Sequence, residues 1–97
     1  MAYAHDPDHD RLWIQGGVVT SVGEASDCWS LDLSDTSSAT WRMQSNLPAK
    51  PRELSVGGYD RTGNRFLIGG GSGGAGGSDY QDFNEVWSLP SAAGPWS

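Results

Sequence analysis

The strongest constraint on this chain is a short stretch that occurs twice. Arg11-Leu12-Trp13-Ile14-Gln15-Gly16-Gly17 returns 54 residues later as Arg65-Phe66-Leu67-Ile68-Gly69-Gly70-Gly71. An apolar run closed by a glycine pair reads as a β-strand that ends in a tight turn. A strand and turn recurring about every 50 residues mark a repeat architecture. The fold must therefore be built twice from one unit.

The remaining segments align on that anchor. Ahead of it, His5-Asp6-Pro7-Asp8-His9-Asp10 matches Tyr59-Asp60-Arg61-Thr62-Gly63-Asn64 without a gap, and both are rich in turn formers. Each copy thus opens with a hairpin. Gly63 is expected to take the positive φ that such a loop requires, with His9 under slight strain at the matching place. Behind the anchor comes a polar loop, 18–26, and in the second copy a glycine-rich one, 71–79. A third strand follows in each, Asp27-Cys28-Trp29-Ser30-Leu31 and Glu85-Val86-Trp87-Ser88-Leu89. A second tryptophan opens a fourth, at Trp41 and, cut short by Ser97, at Trp96. The units are 1–47 and 54–97. The linker between them, 48–53, holds two prolines and is expected to be extended. No segment has a helical period, so the chain is expected to be all-β. Leu12 and Ile14 alternate with Trp13, and Phe66 and Ile68 with Leu67, so both strand faces are apolar. Such strands belong to sheets covered on both sides.

Charge and composition exclude several roles. Twelve acidic against six basic side chains give a net charge of −6, which argues against nucleic acid or an anionic membrane as partner. No apolar run reaches 18 residues, so no spanning helix is expected. Met1 to Asp6 lack the basic and apolar regions of a signal peptide. The chain is expected to be soluble, with its compartment open, because Cys28 alone permits no internal disulfide. His5 and His9 among Asp6, Asp8 and Asp10 suggest a metal site less than a solvated turn, since the second copy keeps the turn without the histidines. The glycines at 69–77 lack the Lys-Ser/Thr and following helix of a phosphate cradle.

Gly16-Gly17, Trp29 and Trp41, then Gly70-Gly71, Trp87 and Trp96, resemble the kelch repeat: a glycine pair after an apolar strand, an aromatic, and a tryptophan. Leu47-Pro48 ahead of Pro51-Arg52 also resembles the opening of such a repeat. The resemblance implies a β-propeller, whose blades are four-stranded antiparallel sheets. Two blades, the second short of its last strand, would expose apolar faces and complete a six- or eight-bladed ring with further copies. A homotrimer is favoured, with a homotetramer as the other closure. The implied role is non-enzymatic: a scaffold offering loop faces to a protein or carbohydrate ligand, with no cofactor. The alternative is part of a kelch-like sugar oxidase or isomerase whose catalytic residues lie elsewhere. Arg52 is a candidate binding residue, because kelch-type binders use arginines near the channel. Its alternative is a hydrogen bond to a neighbouring blade's backbone. Asp79, Tyr80 and Asp82 beside the glycine-rich loop are the other candidates. Cys28 aligns with Val86 and is read as a small buried apolar group rather than an oxidase thiol. The tryptophans are packing residues first; Trp13 and Trp96 are the expected exceptions.

Overall fold

The computed structural model describes residues 1–19, 23–73, 81–92 and 94–97. Every regular element among them is a β-strand. None of the described residues forms a helix long and apolar enough to cross a membrane.

The first sheet contains β1 (Ala2–Asp6), β2 (Arg11–Gln15), β5 (Cys28–Asp32) and β6 (Trp41–Gln44), in that spatial order and antiparallel throughout. The second contains β7 (Val56–Asp60), β8 (Arg65–Gly69) and β11 (Val86–Pro90), also antiparallel. Its expected fourth strand is present as a single pair. Ser88 and Ser97 exchange both backbone hydrogen bonds, at 2.8 and 2.9 Å, which is the register that Ser30 and Arg42 hold in the first sheet. Two short ribbons lie in segments expected to be loops: β3 (Val18–Val19) with β4 (Gly23–Glu24), and β9 (Ser72–Gly73) with β10 (Gln81–Asp82). The rest of the glycine-rich loop, 74–80, lies outside the described residues.

Both hairpins turn through four residues, and the left-handed residue is the last one. Asp10 has φ 49° and Asn64 φ 52°. Gly63 is not in that region, which corrects the expected turn. Asp and Asn tolerate the left-handed well because their short side chains bond locally. The strand-end aspartate holds each turn. Asp6 accepts the backbone N–H of Asp8 (3.0 Å) and His9 (3.3 Å), and the His9 ring at 2.7 Å. Asp60 accepts the N–H of Gly63 (3.1 Å) and the Arg65 guanidinium. His9 and Arg65 thus meet the same need from neighbouring positions. The glycine at 63 leaves room, since a Cβ there would strike Asp60 and Arg65.

Burial raises the Asp6 carboxyl, but hydrogen bonds from His9 and the turn backbone outweigh it and hold the group below the usual carboxylate range. A depressed folded value stabilises the fold above the unfolded pKa, and the gain is lost as pH falls through the folded one. The urea midpoint is therefore expected to fall as the pH drops below about 4. Asp6→Asn is expected to be the weaker protein at pH 6 and to lose less on acidification.

The two sheets pack face to face. Register places Ala2, Ala4, Trp13, Gln15, Cys28 and Ser30 on the inner face of the first. Gly57, Tyr59, Phe66, Ile68, Trp87 and Leu89 form that of the second. Trp13 stacks on Phe66 with ring centroids 5.8 Å apart, and Phe66 meets Trp96 at 6.1 Å. The closest approach is between β1 and β7, where a Cβ on Gly57 would lie 2.5 Å from the Tyr3 carbonyl oxygen. Only a residue without a side chain lets those strands meet.

Candidate functional site

Strand alternation leaves each sheet a second, outward face. On the first sheet it carries Tyr3, Leu12, Ile14, Trp29, Leu31, Trp41 and Met43; Tyr3 and Met43 are each 66% exposed. On the second it carries Val56, Leu67 and Val86, with Val56 72% and Val86 69% exposed. These positions are not random surface. Leu12, Ile14, Trp29, Leu31 and Trp41 align with Phe66, Ile68, Trp87, Leu89 and Trp96, which the sheet-to-sheet contact covers. Val56, Leu67 and Val86 align with Ala2, Trp13 and Cys28, all buried. Each exposed face is thus the repeat-equivalent of the face that the other sheet buries.

The glycine pairs gain a physical explanation at the linker. Gly16 and Gly17 have φ 70° and 106°, Gly70 and Gly71 have 66° and 98°. In the first sheet this corner receives Arg52: Gly17 donates to the Arg52 carbonyl (3.0 Å), and Arg52 N–H donates to the Ala25 carbonyl (3.4 Å). A Cβ on Gly16 would come within 2.9 Å of the Arg52 oxygen. The Arg52 side chain turns to the second sheet. It donates to the carbonyls of Lys50 (3.2 Å) and Gly70 (3.4 Å), pairs with Glu85 at 2.6 Å, and lies 4.0 Å over the Phe83 ring. The linker therefore joins both glycine corners at once, and Arg52 is buried. Of its two sequence readings, the geometry displays backbone and carboxylate bonding within the chain.

Asp82 sits on β10 opposite Ser72; Asp79 and Tyr80 lie outside the described residues. Of the packing residues, Trp87 is half-buried and Trp96 buried at the sheet contact, whereas Trp29 and Trp41 lie on the outward face. Trp13 and Trp96 were expected to be the least committed to packing, and both are core. Trp13 is fully buried and fills the space over Phe66, and the Trp96 indole N–H donates to the Ser45 carbonyl at 2.8 Å. Leu67 misled the sequence reading: it aligns with Trp13 but faces outward. Cys28 is buried, and that burial pushes its thiol up to about 12. A thiol-specific reagent is expected to label it only after unfolding, and rapid labelling of the folded chain would contradict its place. His5 contacts Asp10 at 2.9 Å while His9 contacts Asp6. No metal-holding group of three such side chains forms among the described residues. A polar groove of about 530 Å³ lies between the sheets, lined by Arg11, Ser30, Asp32, Arg42 and Gln44 among others. It carries both charge signs.

No family model and no curated protein matches the sequence. The backbone is similar to the solved structure of YjhT, with a TM-score of 0.71 over 99% of this chain at 19% identity. The chain spans 25% of that solved chain, and the likeness is one of fold.

Proposed function

We propose that the chain is a pair of kelch-like propeller blades, acting as a non-enzymatic binding scaffold that completes its ring with further copies of itself. One observation carries this reading. The outward face of the first sheet repeats the face by which the second sheet is buried, and the converse holds for the other pair. One copy's Val56, Leu67 and Val86 would then meet the next copy's Leu12, Ile14, Trp29 and Trp41, a head-to-tail contact that closes by rotation. Three copies make six blades and four make eight. One place must differ from the internal contact. Tyr3 stands where Gly57 allows the inner strands to touch, so those strands stand further apart between copies. Ligand recognition falls to the ribbons at one end, where Val18 and Val19 are exposed and Lys50 reaches Gln81.

Light scattering on the purified chain tests the assembly. The expected mass is three or four times that of one chain, and Trp41→Glu on the outward face is expected to return it to one. A folded single chain at high concentration would overturn the reading.

A further inference from the structure

Resting on that reading, we infer that the glycine corner of the second sheet is a binding seat for the extended lead-in of a further blade, a segment with the chemistry of residues 46–53. Its counterpart in the first sheet is filled by such a segment, and the two corners are built alike. Gly16 donates to the Asp27 carbonyl and Gly70 to that of Glu85, both at 3.0 Å. Gly17 accepts from Ala25 at 2.9 Å and Gly71 from Phe83 at 2.8 Å. The glycine φ angles agree within 8°. In the first corner the two remaining groups, the Gly17 N–H and the Ala25 carbonyl, hold Arg52. Their equivalents are the Gly71 N–H and the Phe83 carbonyl, and neither has a backbone partner among the described residues. Among the described residues the space is open too. Where Gly16 faces the Arg52 oxygen at 2.9 Å, Gly70 faces the Phe83 oxygen at 3.6 Å. A donor and an acceptor at strand spacing, beside a glycine that admits a carbonyl, recognise main chain; extended Pro-Arg backbone is the occupant the twin corner displays. Residues 46–53 themselves are already seated in the first corner through Arg52.

The probe is a synthetic peptide of residues 45–53, titrated into the isotope-labelled full chain with the Gly71 amide followed by NMR. The expected result is a saturable shift of that amide. N-methylation of the peptide's arginine nitrogen removes the donor to Phe83 without touching the protein, and is expected to weaken binding at least about tenfold. Gly70→Ala is expected to do the same, since its Cβ would meet the incoming carbonyl; because φ 66° also strains an alanine in the free chain, the methylated peptide is the deciding arm. A silent Gly71 amide, or equal binding of the methylated peptide, would overturn the seat. Light scattering on the same samples keeps the two ideas apart. A multiple-chain mass with a silent Gly71 discards the seat alone, and a Gly71 shift on a single-chain mass discards self-assembly alone.

Discussion

Phe66→Ala is expected to remove about 3–5 kcal/mol of stability, a large part of the 5–15 kcal/mol that a domain of this size holds. Phe66 lies between Trp13 and Trp96 at the centre of the sheet contact. Its loss opens a cavity that two rigid indoles and a β-sheet backbone cannot collapse. Leu67→Ala, one residue on, faces outward and is half-buried. It is expected to cost about 1 kcal/mol. Urea denaturation followed by tryptophan fluorescence measures both. Equal losses at 66 and 67 would contradict the register, because a shift of one residue exchanges the two faces.

The second large effect is expected at Arg52. Arg52→Met keeps much of the side-chain volume but removes the donors to Lys50, Gly70 and Glu85 and the cation over Phe83. A cost of about 3 kcal/mol is expected, since hydrogen bonds from a charged donor are worth about 1.5–3 kcal/mol each, while water and Ser55 offset part of the loss at the part-buried carbonyls of Lys50 and Gly70. Glu85 is 43% exposed, so water takes up its charge and the loss stays below that of a fully buried pair. Arg52→Lys is expected to recover only part, because an ammonium cannot reach three acceptors in a plane. If both variants match the parent's urea midpoint, the linker does not hold the sheets together.

Much of this fold could be read from local pattern. Gly16-Gly17 and Gly70-Gly71 marked the strand ends, and the two-residue alternation through Leu12-Trp13-Ile14 marked sheets with two apolar faces. Trp96 announced a fourth strand that the structure forms only at Ser97. What the pattern hid was tertiary. Glycine after a strand signals a bend, but nothing local says that a distant carbonyl, that of Arg52, fills the vacated Cβ site. Nothing local marks Gly57, because its need is set by Tyr3 on another sheet. Trp13 and Leu67 align, and only packing decides that the larger one sits inside, over Phe66. The turn differs by one position because Asn64 tolerates the left-handed well through local bonding of its short side chain, so the glycine before it need not enter it. Of the candidate site, Arg52 was noticed, but its burial depends on Glu85 and Phe83, 33 and 31 positions away in sequence.

The single Ser88–Ser97 pair has a consequence for how the protein behaves when concentrated. Along β11, alternate residues turn their main-chain groups outward: Val86, Ser88 and Pro90. Ser97 already occupies the middle one, and Pro90 has no N–H to offer. Among the described residues, Val86 is the one of the three that keeps both groups for an added strand. A proline and an already paired serine at alternate positions blunt this margin of the sheet against edge-to-edge pairing.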